Sequence, residues 1–524
     1  MHTLSDPITL QLIRSLLEAA AEDMGITLQR VAFSANIKER RDFSCALFDA
    51  TGRLLAQAAH IPVHLGSMPA STAAVISHLG VLNDGDVAIV NDPYTGGSHL
   101  PDITVVSPIY FKGERIGYAA SRAHHADVGG ISPGSMALSR HIDDEGHRIP
   151  PALLYIAGQV NHAVLDPLLA AVRTPSERLG DLDAQLAANA IGVRETCRLA
   201  EHFGIQALTT YSQALIDYSA TFMAGAIAQI PDGVYTFEDA MDDDGFSDET
   251  IAIRVKITIA GDRAVVDLTG TADAVAGPVN CPRAVACSAV FYCFVCLLDE
   301  SVPLNEGCFG NIEVITRAGS LVEAAYPSPV VAGNTETSQR VVDAVLGALA
   351  AAIPDRIPAA SSGSMSSLAL GAVAAPMWTY YETIPGGAGG GPIHAGESAV
   401  QTHMTNTLNT PAEALEMQYP MRVRRFELAR NTGGAGVHPG GHGVIREIQM
   451  LTEVSGTILS DRRRLKPWGL AGGGAGSAGQ NAILRSDGTE ELLRGKDRFH
   501  ARIGDRVRVV TPGGGGWQAL GSGH

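Results

Sequence analysis

Apolar residues at Leu10, Ile13, Leu17, Ala20, Ala21 and Met24 recur at helical spacing just after Asp6-Pro7. A carboxylate that can cap and a proline at the first helical position make this a helix start. The stretch "DFSCALFDATGRLLAQAAH" changes period. Phe43 to Phe48 reads as a strand, Asp49 to Gly52 as the turn, and Leu54 onward as the return strand. A helix is expected from Met68 to His78, then a strand "DVAIV" ending at Asn91-Asp92-Pro93. Ile103 to Tyr110 and Ile116 to Ala123 are two β-rich runs around Lys112-Gly113, the signature of a hairpin. Residues 165–230 carry helical spacing. "IPDGVYTFEDAMDDDG" opens a new β-rich unit, Ile251 to Leu268 supplies two more strands, and Val341 to Ala352 a further helix.

The last third differs. "GGAGGG", "NTGGAGVHPGGHG", "GLAGGGAGSAG" and "TPGGGGW" punctuate short strands, and tight turns are the role expected of them. No phosphate-cradling glycine motif is present. With 524 residues, the chain exceeds one core and should divide into two or three domains. The expected fold class is α+β and multi-domain. A mixed α/β domain (1–230) would carry the chemistry, followed by an α/β middle region (231–365) and a Gly-rich, β-dominated region (366–524).

Charge narrows the function classes. The net charge of -17 offers no basic field for nucleic acid. The short basic run Arg462-Arg463-Arg464 with Lys466 reads as a solvated or partner-facing turn. The longest apolar run, Ala284 to Leu298, falls short of the roughly 18 residues of a membrane span and reads as a buried helix or strand. The N-terminal sequence lacks a basic start followed by an apolar stretch, so a cytoplasmic location is expected. Of seven cysteines, five cluster between Cys281 and Cys308. The Cys293-x-x-Cys296 pair has apolar flanks and no second pair at zinc spacing, so reduced core cysteines are expected.

The candidate chemistry sits at the open end of the hairpin. With the turn near residue 113, facing residues sum to about 226, so Asp102 faces His124; a one-residue slip would substitute His125. His99 precedes Asp102 by three residues and Asp127 follows His124 by three. Imidazoles mixed with carboxylates suit one divalent cation, Zn, Mn or Fe(II), and Gly96, Gly97, Gly129 and Gly130 would let the backbone close around it. The competing expectation is ordinary hydrogen-bonded histidines at strand ends. "NIKERRDFS" adds Asp42 as a further candidate ligand, with Arg40 or Arg41 able to hold an anion. His60 and His64, in "HIPVHLGSM", suit core or supporting roles better than ligation.

"ERRDFSCALFD", "HIPVHLGSM", "NDPYTGGSHLPD", "RAHHADVGG", "IPDGVYTFED", "PLNEGCFG", "GNTETSQR", "GESAVQTHMTNTLNTPAE" and "TPGGGGW" occur in order along the chain. In these the sequence resembles the hydantoinase B family, similar to the C-terminal half of 5-oxoprolinase. The resemblance extends to the metal subunits of acetone and acetophenone carboxylases and to a caprolactam-opening enzyme. It implies metal ligands at His99, Asp102, His124 and Asp42. It implies an A-type partner subunit, an actin-like ATPase that uses ATP to phosphorylate a small cyclic amide, in a hetero-oligomer. His125 or Asp127 would then serve as base or orienting group. A ketone carboxylase subunit and a non-catalytic structural subunit are the rival readings. Glu336, His403 and Asn406 lie in the shared motifs without an assigned role.

Overall fold

The computed structural model describes residues 6–58, 61–299 and 301–521; His60 lies outside them. Helix α1 (Pro7–Val31) starts as its sequence dictates. The Asp6 carboxylate accepts from the Thr9 backbone N–H at 2.9 Å, with Pro7 in the first turn. Its buried stripe, Ile13, Leu17, Ala20, Ala21, Met24 and Leu28, packs on α5 (Pro175–Phe203). Short α2 (Ala35–Lys38), α3 (His64–Leu79), α4 (His162–Ala171) and α6 (Ile205–Ile227) complete the N-terminal helices. α3 begins one turn earlier than expected, which brings His64 into its first turn.

Between these helices lies a seven-stranded antiparallel sheet in the order β2-β1-β5-β4-β3-β6-β7. Its strands are β1 (Phe43–Asp49), β2 (Leu54–Gln57), β3 (Val87–Val90), β4 (Asp102–Phe111), β5 (Glu114–His124), β6 (Ala152–Ile156) and β7 (Gln159–Val160). Alternation assigns two faces. Leu47, Ala119 and Ala123 pack under α1 and α5, whereas Ala46, Val106 and Ala120 face the core shared with α3.

The β4–β5 hairpin turns through Lys112 (φ 51°) and Gly113 (φ 83°), both left-handed as a two-residue turn requires. Next to the turn, Tyr110 faces Arg115; farther out, Ile109 faces Gly117. Ile116 is therefore an extra residue, a β-bulge, and beyond it the facing numbers sum to 226. Asp102 faces His124.

The middle region adds the sheet β11-β10-β9-β8, built from β8 (Gly233–Met241), β9 (Ile251–Ala260), β10 (Arg263–Asp267) and β11 (Ile312–Ile315). Helices α7 (Arg283–Val295) and α8 (Ser338–Ala350) pack on each other, and α8 packs on β8 and β9. The C-terminal region holds α9 (Ala412–Gln418) and two sheets. One runs β13-β12-β16-β19: β12 (Ser367–Ala372), β13 (Thr379–Glu382), β16 (Val454–Leu459) and β19 (Lys496–Ala501). The other runs β14-β15-β20-β17-β18: β14 (Met421–Ala429), β15 (Gly443–Met450), β17 (Gln480–Leu484), β18 (Glu490–Leu493) and β20 (Arg506–Val510). The chain is an α+β protein with several sheets. One apolar core joins residues of the first sheet, the second sheet and α8, and reaches Met404 and Leu459.

Three expectations change. The glycine-rich segments are threads rather than tight turns. Gly387, Gly441 and Gly514 have no positive φ, and their backbones bond from thread to thread: Gly441 N–H to the Ala388 carbonyl, Gly514 N–H to the Gly441 carbonyl and Gly387 N–H to the Pro512 carbonyl. A Cβ at Gly441 would fall on the Glu397 carbonyl, and one at Gly514 on that of Ala388. The glycines are there for approach, not for turning.

The basic run is internal at its start. Arg462 is buried and donates to Asp239 at 2.7 Å and Asp343 at 3.0 Å. Asp461 beside it accepts from Arg340 at 2.9 Å and from Lys496 at 2.8 Å, so the run ties the C-terminal region to β8 and α8. Arg464 is exposed but still donates to the Asp248 carbonyl at 2.8 Å. Of the Cys293–Cys296 pair, both thiols are free; Cys293 is buried, while Cys296 is exposed at the end of α7.

Candidate metal centre

Gly96 (φ 93°) packs so closely on α3 that a Cβ would lie 2.6 Å from the Ala70 carbonyl. This glycine lets the loop before β4 fold inward and bury His99 completely. Asp102 opens β4 and His124 closes β5, so the hairpin register brings them together. His99, Asp102 and His124 each offer one donor atom, all within 4.8 Å of one another.

Each side chain is oriented from behind. His99 Nδ1 lies 3.2 Å from the Val331 carbonyl, which only accepts, so the ring keeps a proton there and turns Nε2 toward Asp102 at 3.3 Å. Asp102 Oδ2 also accepts from Ser98 Oγ at 2.5 Å and stands 3.5 Å from His64 Nε2. His64 Nδ1 is 2.8 Å from Ser44 Oγ. The His124 ring stacks on Tyr381 (4.6 Å between centroids, 6° between planes), and its Nδ1 is 3.1 Å from Asn36 Nδ2. Its Nε2 is buried without a hydrogen-bond partner.

Electrostatics follow from this enclosure. Burial alone would raise the Asp102 carboxyl, but His99 and His64 hold it well below its ordinary value. Burial would lower His99, yet the Asp102 carboxylate overrides it and leaves the imidazole above its usual range. Burial, reinforced by the neighbouring His99, drives His124 well below the histidine range, so it is a neutral ring with a free lone pair. Burial pushes Asp42 up to about 6 against the pull of Arg40, which stands 3.6 Å away.

A divalent cation fits this donor set. The three residues are nitrogen and oxygen ligands of the right reach, and the partnerless His124 Nε2 supplies a lone pair that nothing else in the protein uses. An ion there fixes the remaining His124 proton on Nδ1, for which Asn36 turns its amide oxygen inward.

The cluster opens on an enclosed cavity of about 290 Å³ lined also by Asp42, His64, Asn334, Tyr381, Thr383 and Thr407. Asp42 thus reaches the cavity, but its carboxylate is not among the donors within 4.8 Å of one another. His125 and Asp127 are not brought to it. His125 points to the other face of β5, with Nε2 2.9 Å from Gln185 Oε1 on α5. Asp127 is paired with Arg173 at 2.7 Å, beside the Gly129-Gly130 turn. The slip that would exchange His124 for His125 does not occur.

Sequence reasoning missed Asn334, Tyr381, Thr383, Thr405 and Thr407. Asn334 Nδ2 lies 3.1 Å from His99 Nε2. A signal for the last two was present: Thr405 and Thr407 are buried while Asn406 and Leu408 between and after them are exposed, the alternation of an extended segment. Glu336 is buried two residues past Asn334, and burial pushes its carboxyl up to about 8. His403 Nε2 stands 3.6 Å from Asp343, in the ion network; Asn406 is exposed.

Comparisons with known proteins agree in their direction. The chain is 40% identical to 5-oxoprolinase 1 of Arabidopsis thaliana over 98% of its own length and 42% of the relative's. It is 33% identical to a protein of Pseudomonas sp. (strain NS671) named as the B-type subunit of a D-/L-hydantoinase, over 98% of this chain and 90% of that one. It therefore spans about two fifths of the oxoprolinase and nearly all of the hydantoinase protein. The crystal structure of ATP-dependent caprolactamase from Pseudomonas jessenii superposes with a TM-score of 0.92 at 29% identity, covering 99% of this chain and 92% of that one. A family model for hydantoinase B/oxoprolinase matches residues 6–519, and this chain belongs to that family.

Proposed function

We propose that the chain is the metal-dependent B-type subunit of an ATP-dependent cyclic amide hydrolase. An A-type ATPase subunit would phosphorylate the ring amide oxygen, and this chain would complete the opening. The observation that supports the reading is the buried His99–Asp102–His124 cluster on an enclosed cavity. The oxoprolinase relative, with three fifths of its length beyond this chain's match, and the caprolactamase, ATP-dependent by its description, support the amide and the nucleotide.

An amide resists water because resonance stabilises its carbonyl and nitrogen leaves poorly; O-phosphorylation makes the carbon electrophilic. Water oxygen then bonds to that carbon, the ring C–N bond breaks with its electron pair and a proton going to nitrogen, and a second water releases inorganic phosphate from the acyl phosphate. A divalent ion on the cluster supplies Lewis acidity toward water and substrate oxygen. Asp102 holds the His99 ring in place, and Tyr381 fixes the plane of His124. Asp42 faces the same cavity, and burial gives it a proton affinity of about 6, so it accepts the proton that water gives up. His125 and Asp127 serve as positioning residues, pinning the hairpin end to α5 and to Arg173.

The test is metal analysis and turnover of the purified chain with its partner and ATP, on a panel of hydantoin, 5-oxoproline and caprolactam. Hydrolysis should require the metal, and His124→Ala should lose both metal and ring opening. Full activity in a metal-free His124→Ala protein would overturn the reading. Turnover confined to a ketone with bicarbonate would replace it with a carboxylase, and hydrolysis by the partner alone would leave this chain a structural subunit.

A further inference from the structure

Away from the imidazoles, the cavity wall is made of hydroxyls, and their protons can be assigned. Arg40 is fully buried, its guanidinium 4.9 Å from the centre of the Tyr381 ring. A guanidinium only donates. It donates to the Tyr381 carbonyl at 3.2 Å, to Thr383 Oγ1 at 3.0 Å and to Thr407 Oγ1 at 3.4 Å. Gln401 Nε2 lies 3.4 Å from both the Thr383 carbonyl and Thr383 Oγ1. That carbonyl can only accept, so the nitrogen end of the Gln401 amide is the end that faces Thr383. Both lone pairs of Thr383 Oγ1 are then engaged, and its proton goes to Thr407 Oγ1 at 2.7 Å. Thr407 in turn accepts from Arg40 and from Thr383. Its own proton is left over. The nearest oxygen is another cavity hydroxyl, Thr405 Oγ1, at a long 3.5 Å.

Thr407, with Thr405 beside it, is thus a forced donor into the cavity, backed by a buried cation. Such a wall recognises an oxyanion. We infer that Thr405 and Thr407, polarised by Arg40, form a subsite for phosphoryl oxygens, taken by the phosphorylated substrate and by the phosphate released from it. This rests on the ATP-dependent reading above. A phosphoryl group suits the cavity because its tetrahedral oxygens can address the hydroxyl wall and the His–Asp wall together, where a planar carboxylate offers two oxygens in one plane.

The experiment is calorimetric titration of inorganic phosphate, with acetate as comparison, into the metal-loaded chain. Thr407→Val should weaken phosphate binding about ten-fold or more, the loss of one hydrogen bond to a charged acceptor. Thr407→Ser, which keeps the hydroxyl, should stay within about three-fold. Thr410→Val removes a buried hydroxyl outside the cavity lining and should bind phosphate as the parent does. If Thr407→Val does not fold, Thr405→Val replaces it. Equal phosphate affinity in the valine variants and the parent overturns the subsite, as does a folded parent that binds no phosphate. Acetate bound as tightly as phosphate overturns the phosphoryl assignment in favour of a carboxylate. The same preparations are assayed for amide hydrolysis with partner and ATP. No hydrolysis with threonine-dependent phosphate binding sinks the functional reading alone; hydrolysis with threonine-independent binding sinks the subsite alone.

Discussion

His99 and His124 donate to one point for different reasons. His99 is aimed by a backbone carbonyl behind it, and His124 is held flat by an aromatic ring. Removing the aim should therefore matter nearly as much as removing a ligand. Tyr381→Ala leaves all three donors in place but frees the His124 ring, and metal affinity should fall by about ten- to a hundred-fold. Metal content after dialysis checks this. Asp42→Asn makes the opposite prediction: metal content within about two-fold of the parent, with the hydrolysis rate down by about a hundred-fold or more. Loss of the metal in that variant would make Asp42 a ligand instead. The three clustered residues were legible in the sequence because hairpin pairing is local arithmetic. His125 was ambiguous until the strand's faces were known. Asp127 was misplaced because Arg173, which takes it, lies 46 positions along the chain.

At the scale of the element, the hairpin decides the site through a single irregularity. A two-residue turn at Lys112-Gly113 alone gives facing sums of 225 and would set Ala123 opposite Asp102; the extra Ile116 moves the sum to 226. The match between the expected and observed pairing therefore depends on a bulge that no local pattern announced. Because Ile116 is the unpaired residue, deleting it should keep Asp102 facing His124 and leave metal content within about two-fold. One alanine inserted after Ala119 should abolish metal binding, because a one-residue slip turns every following side chain to the opposite face. Retention of metal by the insertion variant would show that a second bulge absorbs the slip. Thr383 and Thr407 could not be paired with Arg40 from sequence, since more than three hundred positions separate them.

Across the whole molecule, buried charge and bare backbone hold the C-terminal region to the rest. Burial alone would raise the Asp461 carboxyl, but Lys496 and Arg340 hold it far below its ordinary value. Its folded affinity for protons is lower than its unfolded one, so its contribution is complete above the unfolded value near 4 and fades as pH falls below that. Acid unfolding should therefore steepen below about pH 4 in the parent and flatten in Asp461→Asn. At neutral pH that variant should lose about 3–5 kcal/mol in urea titration, because two buried cations lose their partner. The Arg462 run looked solvated because its anions, Asp239 and Asp343, belong to distant elements.

The glycine threads have a further consequence, written in nucleotides. A single base change in any glycine codon is either silent or yields a stop or a residue bearing a side chain, and at Gly387, Gly433, Gly441 and Gly514 that side chain begins inside a neighbouring carbonyl. Codons for the sheet surfaces can drift through mild replacements; those for the threads have no mild replacement to drift through. Spontaneous missense variation there is all-or-none, and a random-mutagenesis library selected for folded protein should return these codons altered only at their third base.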